Sequence, residues 1–139
     1  MADGDGNFYL EFFYRLLLKN LNLSTDVLNA ILVHGYTPVA ATHSTYSDVS
    51  GYEVSGTNYT AGGIALVNKS VTKGGSSVIF NADDITWPSL GADVDTPRYV
   101  IVRDVTYDCL VCYWEHSTCI PDGSNYIVEL NPTGIFYMD

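Results

Sequence analysis

Four side chains able to hold a soft cation fall within eleven residues: Cys109, Cys112, His116 and Cys119, spaced Cys-x2-Cys-x3-His-x2-Cys. Zinc accepts such a set. The gaps around His116 are shorter than an ordinary zinc knuckle requires, however. A strand through Cys109 and Cys112 would also send residues three apart to opposite faces. Plain buried or edge thiols are the favoured reading, with a zinc site and an assembly-linked disulfide as alternatives. Asp83 and Asp84, with Asp93 and Asp95, offer oxygen ligands to calcium, but no Asp-x-Asp-x-Asp-Gly loop contains them. They read as solvated turns. His34, His43 and His116 stand beside no nucleophile motif such as Gly-x-Ser-x-Gly. Trp87 and Trp114 read as core or interface aromatics, with ligand stacking as the alternative. No catalytic residue, metal or cofactor is assigned.

The elements that would position these groups are mostly strands. Residues 7–20, NFYLEFFYRLLLKN, predict one helix, capped by Asn7, with Glu11 in its N-terminal half and Lys19 toward its C-terminal end. Nine of the eleven residues from Phe8 to Leu18 are apolar or Tyr, so the helix lacks a broad polar face and demands burial on most sides. Val27 to Val33 reads as a buried strand ended by Gly35, Thr37 and Pro38. Residues 39–62 form a long surface excursion with a short strand near Tyr52 to Ser55. Ile64 to Asn68 and Ser77 to Phe80 flank a glycine-marked hairpin at Lys73-Gly74-Gly75. Asp83 to Trp87, Tyr99 to Val102, Leu110 to Trp114, Tyr126 to Leu130 and Ile135 to Tyr137 complete the series, with a turn at Asn131-Pro132-Thr133-Gly134. The expectation is mainly β: an antiparallel β-sandwich or barrel of seven to eight strands with one N-terminal α-helix. It is expected as a single domain over 1–139, helix about 7–20 and β domain about 26–139.

Size and charge narrow the partners. A chain of 139 residues can bury a full core. Sixteen Asp and Glu against six Lys and Arg give a net charge of −10, which repels phosphate backbones and anionic bilayers alike. Neither nucleic acid nor a membrane is expected as partner. The acidic start MADGDG lacks the basic character of an export signal. Three sparse cysteines suit reduced thiols in a cytosolic assembly environment. The sequons at Asn22, Asn58 and Asn68 read as coincidental.

The stretch Tyr46 to Gly63, YSDVSGYEVSGTNYTAGG, has turn and edge-strand composition, and places Tyr46, Tyr52 and Tyr59 six and seven residues apart. It resembles a segment of small structural proteins from tailed-bacteriophage virions. The resemblance continues in order through VLNAILVHGYTPVAATHSTYSDVS, EVSGTNYTAGGIALVNKSVT, VIFNADDITW, PRYVIVRD and NPTGIFYMD, covering about residues 8–139. The chain departs from that pattern in its more apolar helix and in the three cysteines of its C-terminal strands.

The resemblance implies a β-sandwich virion component and carries over no catalytic or ligand residue. The leading expectation is a non-enzymatic capsid decoration or cement protein that stabilises the assembled shell by binding that state. Its partner would be the major capsid protein or another virion protein. A homo-oligomer is expected, located in the virion and assembled in the host cytoplasm. Phe8, Phe12, Phe13, Leu16 and Leu17 on the helix, with Tyr46, Tyr52 and Tyr59 in the loop, are the candidate partner contacts. A head-fibre, neck or tail adaptor is the first alternative, and a carbohydrate-binding module the second.

Overall fold

Leu28, Ala30 and Leu32 bury one face of a strand while Ile31 and Val33 bury the other, so the LNAILV run is covered on both sides. That is why it reads as continuous apolar sequence and not as alternation. A computed structural model describes residues 7–116, 119–130 and 135–138. In chain order its elements are β1 (Asn7–Phe8), α1 (Leu10–Leu17), β2 (Leu28–Val33), β3 (Ile64–Ala65), β4 (Ser70–Gly74), β5 (Ser77–Asn81), β6 (Ile85–Trp87), β7 (Tyr99–Asp104), β8 (Cys109–Glu115), β9 (Tyr126–Val128) and β10 (Phe136–Met138).

These make three antiparallel sheets: a central one ordered β1-β8-β7-β2-β3, a second ordered β10-β5-β4, and the pair β6-β9. Among the described residues none closes into a barrel. The mainly β fold with one helix near the N-terminus is as the sequence predicts, and the extra strands are two- and three-residue pieces. The larger core lies on one face of the central sheet and gathers Phe12, Phe80, Trp87, Val102, Val111, Trp114 and Tyr126. The smaller core lies on the opposite face and holds Tyr9, Ile31, Tyr36, Val49, Ile101 and Leu110. The excursion expected over 39–62 contains two single 3-10 turns, Tyr46–Asp48 and Ser50–Tyr52, and a lone bridge from Glu53 to Val33 instead of a strand.

The helix is shorter than residues 7–20. Asn7 does not cap it: Asn7 and Phe8 pair with Tyr113 and Cys112 of β8, and Tyr9 occupies the cap position without a side-chain capping bond. The C-terminal end comes early because Lys19 turns left-handed at φ 61. Lys19 N–H then donates to Leu16 O at 3.1 Å and Asn20 N–H to Arg15 O at 3.0 Å, closing the end in a Schellman arrangement. Arg15 pairs with Glu11 one turn earlier at 3.0 Å.

A bulge in β8 sets where the helix starts. Val102 faces Cys112, but Arg103 faces Leu110, leaving Val111 unpaired in the ladder. Its free carbonyl accepts the N–H of Tyr9 at 3.1 Å. The extra residue also resets the alternation, so Cys109 and Cys112 both enter the larger core. The expectation that they point to opposite faces fails for that reason.

Candidate functional site

The outer side of α1 carries apolar surface into solvent. Leu17 is 84% exposed, Tyr14 60% and Leu10 58%, with Leu18 also exposed. Phe12 is wholly buried, and Phe8 and Phe13 are half-buried against it, with Phe8 and Phe13 ring centroids 5.0 Å apart. Of the helix contacts anticipated from sequence, Leu17 is free for a partner, Leu16 lines a groove and Phe12 belongs to the core.

That groove, of about 370 Å³, runs between α1 and the β4–β5 hairpin. Phe12, Leu16, Leu21, Leu23, Val71, Val78 and Phe80 make its lining mostly apolar, with Asn22 and Ser24 as the polar members. Val71 and Val78 reach solvent at its outer lip. A second, polar depression of about 490 Å³ shares Leu16, Leu21 and Asn22 with it and continues past Lys19 and Asp26 to Tyr107. Sequence reasoning named Phe12 and Leu16 but missed the rest of this lining. The residues come from the helix, the loop after it and a hairpin some fifty positions on, and only the tertiary fold joins them.

Tyr46 and Tyr59 are internal fasteners. Glu53 accepts both phenols, that of Tyr59 at 2.6 Å, together with the N–H of Gly62 at 3.0 Å. Burial and the adjoining carboxylate push the Tyr46 phenol up to about 12, and the same causes raise Tyr59 further. Arg103, buried, lies 4.1 Å from the Tyr46 ring centroid and donates to Gly62 O at 3.3 Å. Among the described residues it has no carboxylate partner, so the ring face helps compensate its charge. Tyr52 alone of the three loop tyrosines stays exposed, tilted against Tyr36 at 5.1 Å.

Asp104, fully buried on β7, has the buried carboxyl of Asp26 beside it, and among the described residues no N–H or O–H donor reaches its Oδ2. Two carboxyls so placed can bond to each other only by sharing a proton. Burial first, and Asp26 second, raise the Asp104 acid well above its ordinary range. Asp26 in turn accepts Asn22 N–H at 2.9 Å, and Asp104 accepts Tyr107 N–H at 3.0 Å. The pair therefore ties the loop after α1 to the β7–β8 turn.

The remaining chemical candidates have local roles. Cys109 and Cys112 are buried thiols and Cys119 is exposed. Among the described residues no group of three or more His, Cys, Asp or Glu is arranged to hold a metal ion. Asp93 accepts Thr57 N–H at 3.1 Å, Asp83 accepts Asn68 at 2.7 Å, and Asp84 accepts Leu130 N–H at 2.7 Å. His34 sits 3.2 Å from Asp95, while His43 accepts the Tyr36 phenol at 2.7 Å. His116 packs edge-on to Tyr126. Trp87 and Trp114 are both buried, which removes them as stacking platforms. Among the described residues no helix is long and apolar enough to cross a membrane.

Fold and surface together define a mainly β protein with an exposed apolar helix face beside an open apolar groove. No family model, curated protein or solved structure matches the chain.

Proposed function

We propose that this chain is a non-enzymatic structural protein of a tailed-phage virion, acting as a capsid decoration or cement protein. The reading rests on the ordered sequence resemblance to that group. Its supporting structural observation is the helix face of Leu10, Tyr14, Leu17 and Leu18, solvent-exposed and continuous in sequence with the groove residue Leu16. Burying one such side chain is worth about 1.5–3 kcal/mol. Two anchors at one contact would tighten binding by roughly two to four decades. Binding to the assembled shell and not to free subunits then stabilises the shell by mass action. The partner would be the major capsid protein or another virion protein.

The test is co-sedimentation of the purified chain with shells lacking it, for the natural protein and for Leu17→Ser. Saturation at hundreds of copies, weakened by Leu17→Ser without loss of melting temperature, is the expected result. Six, twelve or a few dozen copies would move the assignment to a neck or tail adaptor, and no attachment would sink the virion reading.

A further inference from the structure

Among the described residues the β4 edge of the second sheet is open along its full length. Every residue of β4 is exposed, and among the described residues its one ladder partner is β5. The parity of its backbone groups follows from the neighbouring strand. Ile135 N–H donates to Phe80 O at 2.8 Å, on the β10 side of β5, so the carbonyl of Phe80 points away from β4. Phe80 faces Val71, which makes that a non-hydrogen-bonded pair, and the next such pair is Lys73 with Val78. The N–H and C=O of Val71 and Lys73 thus point outward, unused by β5. These are what an added antiparallel strand requires.

Charge limits who can supply that strand. The chain has sixteen acids, yet none lies between residues 54 and 82, where Lys69 and Lys73 are found. The β4–β5 hairpin is the stretch of sequence by which two copies carrying −10 each can approach without opposing carboxylates.

We infer that β4 is the docking edge for a second copy of this chain, paired antiparallel across a twofold axis at Thr72. Only a register centred there sets outward-facing residues against each other, Val71 of one copy opposite Lys73 of the other, twice over. About four backbone hydrogen bonds form. The two three-stranded sheets become one of six strands. Val71 shares the groove face with Val78 and Phe80, so the aliphatic stem of the other copy's Lys73 covers its exposed side. Thr72 meets its twin on the opposite face, and the two Lys73 ammonium groups are kept apart. This pairing goes beyond the virion reading and does not depend on it.

Sedimentation velocity and light scattering of the isolated full chain over a concentration series test the pairing. A reversible dimer is expected. Thr72→Lys, which places like charges directly opposite, should raise its dissociation constant about tenfold. Lys73→Pro removes an outward N–H that β5 does not use, and should abolish the dimer. Unchanged thermal melts of the monomer would show that both variants fold. In a Cys119→Ser background, Thr72→Cys should cross-link the copies, since the paired Cα atoms lie about 4.5 Å apart, within disulfide reach. Ser70→Cys, facing Gly74 of the other copy, should not. A chain monomeric at every concentration overturns the inference. So does a dimer indifferent to both Thr72→Lys and Lys73→Pro, or equal cross-linking by Ser70→Cys. Protection of β4 amides only upon attachment to shells would give the edge to another chain and equally defeat it.

Discussion

Tyr59 and Glu53 are joined by a 2.6 Å hydrogen bond that holds the long loop between β2 and β3 against the central sheet. The same phenol oxygen accepts the N–H of Leu32, on β2, at 3.1 Å. One side chain thereby satisfies a strand donor and a half-buried carboxylate together.

Glu53→Gln should therefore lower folding stability by about 1–3 kcal/mol, because a neutral amide replaces a carboxylate that accepts from two phenols and from Gly62. Tyr59→Phe should cost a similar amount, since it leaves Leu32 N–H without its acceptor. Urea unfolding of the two single variants and the double variant checks this. The double variant should lose less than the sum of the singles.

Stability should fall as pH rises through neutrality. The Asp104 acid is raised to about 7 in the fold. A folded value above the unfolded one means that the native state holds the proton more tightly. The associated stability is complete below about pH 4, the unfolded value, and is lost as pH climbs through 7. Asp104→Asn can donate to Asp26 without titrating. Its melting temperature should match the natural protein near pH 5 and exceed it at pH 8. Equal slopes for both proteins between those pH values would remove the shared proton. Asp48, held low by the N–H groups of Ser44 and Thr45, acts only at the acid end.

Gly63→Ala should be severe, at about 2–4 kcal/mol. Gly63 has φ +86, and a Cβ there would fall 2.1 Å from the carbonyl oxygen of Ala30. Backbone atoms cannot step aside as a flexible side chain would. Chemical denaturation gives the loss directly, and a change under about 0.5 kcal/mol, the scale of an ordinary surface substitution, would disprove the close approach.

Phe12→Ser and Leu17→Ser should separate core from surface on the same helix. Phe12 is wholly buried, so its loss should cost at least about 3 kcal/mol. Leu17, facing solvent, should shift stability by less than about 0.5 kcal/mol. Thermal melts of both decide it.

The strands buried on both faces were legible because their sequence states it: Val27 to Val33, Tyr99 to Val102 and Leu110 to Trp114 match β2, β7 and β8. The hairpin glycines were legible too, one position early. The two-residue turn is Gly75-Ser76, with Gly75 at φ +57 where a type II′ hairpin places glycine. Asn7 and Phe8 were not, because two residues carry no periodicity and their pairing is dictated by β8. Nor could spacing reveal that Tyr46 and Tyr59 converge on Glu53, or that Asp26 meets Asp104 across seventy-odd residues. Both contacts depend on loop closure. The turn at 131–134 lies outside the described residues.

The unpaired Val111 also makes this protein a clock for its own breathing. By turning Cys109 and Cys112 inward together, the bulge hides two thiols whose burial pushes them upward, Cys109 to about 12, so almost no thiolate exists at neutral pH. Cys119 stays at the surface. An alkylating reagent will mark one site at once and the other two only when the central sheet opens. Where alkylation outpaces reclosing, the lag between them reads out the opening rate of β8, with no probe beyond the sulfur atoms already present.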